Sequence, residues 1–221
     1  MDPCFSPRAL LLDMDGLMVD SEPLWFEVER AFVRSRGPFE WTREQWRQCI
    51  GCGTRFTLTT MSEAFGFEVD FVRDFDAIHD LFVARVAELE LMPGCRELVV
   101  ELHGKIPMAV ASSSPRKLVE AVVDRFEMRP RFDAIVTGSD VERPKPAPDI
   151  FLRAADKLGV AAKDCLVLED SVAGARAARA AGMHVICVPE GDPAGRGFDE
   201  VASAIEKDLF AARKRMVIER A

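Results

Sequence analysis

Three acidic residues stand directly after short apolar runs in this 221-residue sequence, although they are far apart along the chain. Asp13 follows the run 9–12, and Glu169 and Asp170 follow the run 165–168. Carboxylate oxygens suit a hard cation such as Mg²⁺, which takes few protein ligands and completes its shell with water and phosphate oxygens. These residues therefore predict a magnesium site, at which the Asp13 carboxylate could face a phosphorus atom.

Two other segments supply groups that could bind a phosphate. Ser112 offers a hydroxyl, the backbone N–H of Ser113 lies near a predicted helix start, and Lys145 brings a positive charge to an otherwise anionic site. Taken alone, each signal has a plainer structural explanation. The serines could cap a helix, the lysine could be solvated, and an acidic pair is common at a helix N-terminus. Their joint position after predicted strands favours phosphate chemistry.

Five short apolar runs, each followed by polar residues, predict the buried strands that position these groups. The runs are 9–12, 108–111, 134–136, 165–168 and 184–188. Helical spacing of apolar residues separates the later runs, so strands and helices alternate, as in a parallel sheet covered by helices. The predicted fold class is α/β, with a Rossmann-like, doubly wound parallel sheet as its core. Ligands of such sheets bind beyond the carboxyl ends of the strands, where the polar residues would converge.

The segment after the first strand has a different pattern, because strand-like runs disappear and apolar residues repeat at helical spacing. We therefore predict an inserted all-helical cap domain over 21–91 and a catalytic core made of 1–20 and 92–221. Within the cap, the apolar repeat from Phe71 to Leu89 predicts one long helix.

The predicted cap contains two candidate substrate-binding residues, Glu22 and Arg55. Glu22 lies at the hinge that follows the first strand, and Arg55 follows a glycine-rich turn. Charged residues on helical domains are more often solvated than bound to a substrate. Simple solvation and substrate binding are therefore both open for Glu22 and Arg55. Thr42 and Gln45 have the spacing of a helix capping box.

Four short motifs, in this order, resemble those of the haloacid dehalogenase-like superfamily. They are Asp13-Met14-Asp15-Gly16, Ser112, Lys145-Pro146-Ala147-Pro148-Asp149 and Glu169-Asp170-Ser171. The similarity covers nearly the whole chain, and the four motifs together are far more specific than any one of them. The helical insertion after the first motif resembles the cap of the subgroup that contains β-phosphoglucomutase and small sugar-phosphate phosphatases.

The resemblance implies a role for each matching residue. Asp13 would attack phosphorus and carry a transient phosphoryl group, while Asp15 would act as general acid and then as general base. Mg²⁺ would be held by the Asp13 carboxylate, the Asp15 backbone carbonyl, Glu169 and Asp170. The implied activity is a Mg²⁺-dependent phosphoric monoester hydrolase whose substrate is a small phosphorylated metabolite, of the sugar phosphate or nucleoside monophosphate class.

Two other functions are open on the same fold. A mutase like β-phosphoglucomutase needs a phosphoenzyme that survives water, and those relatives carry a histidine in the hinge after the first motif. Here the hinge 20–25 has no histidine and looks like that of the phosphatases, so hydrolysis ranks above phosphoryl transfer. The other alternative is a non-enzymatic phosphometabolite-binding protein, against which the intact Asp13, Asp15, Lys145 and Asp170 argue.

The composition limits partners and location. Hydrophobic residues make up 48% and charged residues 30% of the chain, as in soluble globular proteins. The net charge of −8 argues against a nucleic acid polymer as partner, and no apolar stretch approaches the length of a membrane span. The six cysteines lack the spacing of a disulfide scaffold, which favours a reducing, cytoplasmic location. We expect a monomer.

Overall fold

The apolar runs of the sequence form short strands that are buried along most of their length. The structure is a computed structural model and describes residues 4–218; the predicted core also includes 1–3 and 219–221, which lie outside the described residues. The strands are β1 (Ala9–Leu12), β2 (Val19–Asp20), β3 (Glu90–Leu91), β4 (Met108–Ser112), β5 (Ala134–Thr137), β6 (Cys165–Glu169), β7 (His184–Cys187) and β8 (Ala204–Ile205).

Helices lie between most of these strands. They are α1 (Glu22–Arg36), α2 (Arg43–Arg47), α3 (Thr54–Phe65), α4 (Arg73–Ala84), α5 (Cys95–Leu102), α6 (Arg116–Arg125), α7 (Asp149–Leu158), α8 (Val172–Ala180) and α9 (Leu209–Lys214). Across residues 4–218, no helix combines the length and the apolar character that crossing a bilayer requires.

Six of the described strands form one parallel sheet in the order β5-β4-β1-β6-β7-β8. From β1 the chain reaches β4 and β5 on one side, and then β6, β7 and β8 on the other. Leu12, the last residue of β1, pairs with Val110 on one side and Leu168 on the other. The residues that follow β1, β4 and β6 therefore lie at one edge of the sheet, at its topological switch point. The predicted Rossmann-like α/β core is confirmed.

Helices α7 and α8 pack in the same buried cluster as side chains of the sheet. The cluster contains Ile150 and Phe151 of α7, and Ala175 and Ala178 of α8. Phe151 is fully buried, so truncation to alanine should cost about 3–5 kcal/mol of unfolding free energy. This packing holds the loop before α7 and the strand before α8 in place, and both carry residues of the candidate site.

The chain divides into two units, Met1–Asp20 with Glu90–Ala221 and Ser21–Leu89. The first unit contains the six-stranded sheet and also an antiparallel pair, in which Val19 pairs with Leu91 and Asp20 with Glu90. The sequence pattern did not predict this pair, because strands of two residues have no detectable periodicity.

The second unit, Ser21–Leu89, is built from α1–α4 and a 3₁₀ helix at Val86–Glu88. The capping box is confirmed at the start of α2: the Gln45 N–H donates to Thr42 Oγ1 at 3.3 Å, and the Thr42 N–H donates to Gln45 Oε1 at 3.1 Å. These bonds satisfy backbone groups that the first helical turn leaves without partners.

The prediction of one long helix from Phe71 to Leu89 is wrong. The α-helix ends at Ala84, and Arg85 has a non-helical φ of −115° before the 3₁₀ turn begins. A 3₁₀ helix repeats every three residues, so Val86 and Leu89 keep the apolar spacing of a helix without continuing α4.

Candidate active site

Asp13 follows β1 directly, and the sheet fixes its position. Its backbone N–H donates to the Leu168 carbonyl at 3.1 Å, which continues the pairing of β1 with β6 by one residue. The side chain is buried. After Asp13 the chain turns tightly, since the Met18 N–H donates to the Met14 carbonyl at 2.9 Å. Gly16 in this turn has a φ of +75°, which a glycine adopts without strain.

Lys145 joins two acidic residues that are far apart in sequence. Its Nζ donates to Asp13 Oδ1 and, at 2.6 Å, to Glu169 Oε1. The ammonium group also lies 4.9 Å from the centre of the Phe151 ring, a favourable cation–π distance. The Lys145 side chain is only 8% exposed. The structure thus places Lys145 at the predicted site rather than in solvent.

Burial and charge have opposite effects on the ionisation of this lysine. Burial lowers the pKa of Lys145, but the Asp13 and Glu169 carboxylates outweigh it and raise the pKa above its ordinary value. The amine therefore stays protonated and can bind an anion. Burial, together with the nearby Glu169 and Asp15 carboxylates, raises the pKa of Asp13, although Lys145 opposes the shift.

Asp13, Glu169 and Asp170 form the predicted acidic cluster, with one carboxylate oxygen of each lying within 4.8 Å of the others. Burial and the Glu169 and Asp13 carboxylates raise the pKa of Asp170 well above its ordinary value. A buried concentration of carboxylate oxygens, with a single lysine opposing it, fits a hard divalent cation such as Mg²⁺. The donor set therefore suits the metal that the sequence predicts. The assignment of the Asp15 carbonyl as a further ligand stays a prediction.

The Glu169 carboxylate is held at the first turn of α8. Its Oε1 accepts from Lys145, while its Oε2 accepts from both the N–H and the hydroxyl of Ser171, each at 2.8 Å. The Ser171 hydroxyl in turn accepts from the Gly174 N–H at 3.0 Å and caps the helix. A Cβ atom at position 174 would overlap the Glu169 carboxylate, so the position of this carboxylate requires glycine at residue 174. No pattern in the sequence indicates this role of Gly174.

The Asp15 carboxylate binds a different set of groups. The Ser114 hydroxyl donates to Asp15 Oδ2 at 2.7 Å, and the Ser112 hydroxyl reaches the same oxygen at 3.4 Å. Asp15 therefore lies beside Ser112, the predicted phosphate-binding hydroxyl. Ser114 was not predicted, although the run of three serines that begins at the last residue of β4, 112–114, could have indicated it.

Three of the predicted phosphate or substrate contacts stay predictions. Ser113 is exposed and lies in the same loop as Ser112, so its backbone N–H is near the site, but its binding of phosphate stays a prediction. Glu22 begins α1, and Arg55 lies in α3 with its guanidinium 5.7 Å from the Phe71 ring centre. Both belong to the helical unit Ser21–Leu89, and their contact with substrate stays a prediction.

The chain is similar to several known proteins. It is 32% identical over 183 residues to the bifunctional riboflavin kinase/FMN phosphatase of Arabidopsis thaliana; the match covers 81% of this chain and 48% of that protein, so the chain spans about half of its length. It is 32% identical over 205 residues to hexitol phosphatase B of Escherichia coli K12, covering 83% of this chain and 86% of that protein. The crystal structure of CbbY from Rhodobacter sphaeroides in complex with phosphate superposes with a TM-score of 0.78 at 27% identity, covering 92% and 95% of the two chains.

A family model matches most of the sequence as well. The match extends over residues 10–188 and so includes most of β1, the helical unit and the acidic pair Glu169 and Asp170 at the end of β6. The sequence motifs, the sheet order and this match agree. The chain is an enzyme of the haloacid dehalogenase-like hydrolase family.

Proposed function

We propose that this protein is a Mg²⁺-dependent phosphatase, which hydrolyses a small phosphorylated metabolite through an aspartyl-phosphate intermediate on Asp13. The observation that carries the proposal is the position of the Asp13 carboxylate. It lies at the carboxyl end of β1, bound by the ammonium group of Lys145 and close to Glu169 and Asp170. This arrangement offers a nucleophilic oxygen next to positive charge and a cation site.

In the first step, an Asp13 carboxylate oxygen attacks the phosphorus atom of the ester. A new bond from Asp13 to phosphorus forms while the bond from phosphorus to the ester oxygen breaks. Asp15 gives a proton to the departing alkoxide, which leaves as an alcohol. Lys145 and the Ser112 hydroxyl bind oxygens of the transferred phosphoryl group.

In the second step, water attacks the phosphorus atom and Asp15 takes its proton. The bond between Asp13 and phosphorus breaks, and inorganic phosphate leaves with Asp13 restored. Bound Mg²⁺ supplies positive charge that offsets the charge on the transferred group. Asp13 and Asp170 would hold it, together with Glu169 and the Asp15 carbonyl.

The substrate class follows from the relatives and from the helical insertion. FMN phosphatase and hexitol phosphatase B are both named for phosphate monoesters of small metabolites, which supports a sugar phosphate or a similar ester as substrate. The helical unit Ser21–Leu89 would serve as a cap that admits a small substrate and then excludes bulk water from the phosphoenzyme.

The test is release of inorganic phosphate from a panel of sugar phosphates, nucleoside monophosphates and FMN, with Mg²⁺ and with EDTA. We expect Mg²⁺-dependent release from a few members of the panel. The panel includes β-glucose 1-phosphate with a trace of the 1,6-bisphosphate. Isomerisation without net release of phosphate would replace the phosphatase with a mutase, and binding without any turnover would favour a non-enzymatic protein.

The nucleophile is tested with Asp13→Asn. Because an amide is a poor nucleophile, this variant should retain its fold by circular dichroism and lose turnover, and acid-quenched samples should show no covalent phosphate by mass spectrometry. Asp156→Asn is the matched control, since its side chain on α7 is 75% exposed. Normal turnover by Asp13→Asn would contradict the mechanism.

A further inference from the structure

We propose that Ser114 is a positioning residue, whose hydroxyl holds the carboxyl group of Asp15 in place for proton transfer. The inference rests on the proposed function, in which Asp15 is the general acid and base. It adds to that function a residue that lies outside the four sequence motifs.

The contact between Ser114 and Asp15 is short and joins distant parts of the chain. The Ser114 hydroxyl donates to Asp15 Oδ2 at 2.7 Å, a distance typical of a hydroxyl bound to a carboxylate. The Ser112 hydroxyl approaches the same oxygen at 3.4 Å and is therefore the weaker partner. The two residues of the short bond are 99 positions apart, so it ties the turn after β1 to the loop after β4.

Ser114 is itself held by groups other than Asp15. Its backbone N–H donates to Ser112 Oγ at 3.1 Å, and its carbonyl accepts from the Gly138 N–H at 3.0 Å. Gly138 packs so closely against the loop that a Cβ atom there would overlap the Ser113 carbonyl. The backbone of Ser114 is thus held by the last residue of β4 and by the residue that follows β5, and this fixes the place from which its hydroxyl reaches Asp15.

A hydroxyl group suits this position because it can both donate and accept a hydrogen bond. It donates to an ionised carboxylate, and it can rotate to accept from a protonated one. Ser114 can therefore keep Asp15 in the same place when the carboxyl group gives up its proton and when it takes one back. Alanine would remove this support without changing Asp15 itself.

The experiment compares two substrates whose leaving groups differ in their need for a proton. The first is the sugar phosphate of the panel that wild type hydrolyses fastest, whose alkoxide must be protonated as it leaves. The second is p-nitrophenyl phosphate, whose phenolate leaves without a proton. For each substrate, kcat/KM reports the steps up to phosphoenzyme formation, and kcat also includes its hydrolysis.

We expect Ser114→Ala to lower kcat/KM for the sugar phosphate about 10- to 100-fold, which is less than the roughly 10²- to 10⁴-fold contribution of a general acid because Asp15 itself remains. The kcat/KM for p-nitrophenyl phosphate should change far less. Its kcat should fall and phosphoenzyme should accumulate, since hydrolysis of the intermediate still needs Asp15 as base. Ser114→Thr, which keeps the hydroxyl, should restore most of the lost activity. Ser6→Ala, at an exposed serine before β1, should match wild type.

Three results would overturn the inference. An equal loss of kcat/KM on both substrates would make Ser114 a binding or structural residue while leaving the phosphatase intact. Unchanged kinetics on both substrates would mean that Asp15 needs no support from Ser114. If the wild type hydrolysed none of the esters, the proposed phosphatase function would be wrong, and the role of Ser114 would be wrong with it.

Discussion

Replacing Gly174 with alanine should destabilise this protein, against the general rule for glycine in helices. Gly174 lies in the first turn of α8, where alanine normally adds about 1 kcal/mol of stability. Here a Cβ atom would occupy the space of the Glu169 carboxylate. That carboxylate is fully buried and accepts three hydrogen bonds, so a shift away from the new Cβ atom would weaken or break some of them.

The size of the effect follows from the bonds at risk. Glu169 accepts from Lys145 at 2.6 Å and from the N–H and hydroxyl of Ser171 at 2.8 Å each. Hydrogen bonds to a charged group contribute about 1.5–3 kcal/mol each, and the carboxylate can keep some of them after a shift. Losing one or two would cost about 1.5–6 kcal/mol, so after the helix gain of about 1 kcal/mol we expect a net loss of about 0.5–5 kcal/mol.

The assay is urea unfolding followed by far-ultraviolet circular dichroism. Trp25, Trp41 and Trp46 are the three tryptophans of the sequence, and all lie in the unit Ser21–Leu89, so their fluorescence would not report on α8. The control is the same change in a Glu169→Ala background, where the overlap is gone and alanine should stabilise the helix by about 0.5–1 kcal/mol. If Gly174→Ala were as stable as wild type, or had the same effect in both backgrounds, the close contact between residue 174 and the Glu169 carboxylate would be wrong.

Two other substitutions should show effects that depend on conditions. Burial raises the pKa of Glu29 from 4.5 to about 7, although the Trp41 indole N–H at 3.1 Å opposes the shift. The folded state therefore binds the proton of the Glu29 carboxyl group more tightly than the unfolded state, so the free energy of unfolding should fall as the pH rises from about 4.5 to about 7. Above that range Glu29→Gln should add up to about 3 kcal/mol to the free energy of unfolding, because the amide carries no charge to bury. Urea unfolding followed by tryptophan fluorescence, at about pH 5 and about pH 8, measures the difference. Asp170→Asn removes one of three neighbouring carboxylate charges, so without Mg²⁺ this variant should melt at a higher temperature than wild type, whereas added Mg²⁺ should raise its melting temperature less. The control, Asp156→Asn, should respond to Mg²⁺ as wild type does. An unchanged response to Mg²⁺ in Asp170→Asn would remove Asp170 from the metal site.

The sheet and the acidic cluster could be predicted because both depend on local patterns. A strand buried on both faces is a continuous apolar run, and parallel strands end at the same edge of the sheet. The residues that directly follow such runs, Asp13 after β1 and Asp170 after β6, therefore had to meet. The prediction needed no knowledge of side-chain packing.

The remaining features depend on packing between residues that the sequence does not relate. The short hydrogen bond from Ser114 to Asp15 depends on how two loops, whose residues are 99 positions apart, pack against each other. The need for glycine at position 174 depends on where the Glu169 carboxylate lies. The end of α4 at Ala84 was missed for another reason: the apolar spacing continues through Val86 and Leu89 in a 3₁₀ turn, so periodicity alone could not reveal the break.

The charges at the site also explain why a lysine alone cannot support the proposed reaction. Asp13, Glu169 and Asp170 bring three negative charges when ionised, and Lys145 brings one positive charge, so two negative charges would remain in a largely buried place. A phosphate ester, itself an anion, would be repelled from such a site. A divalent cation brings the two missing positive charges, after which Lys145 can serve the phosphoryl group instead of the carboxylates. The charge balance of these four side chains thus supports the proposed Mg²⁺ dependence, and turnover in EDTA would contradict the proposed mechanism.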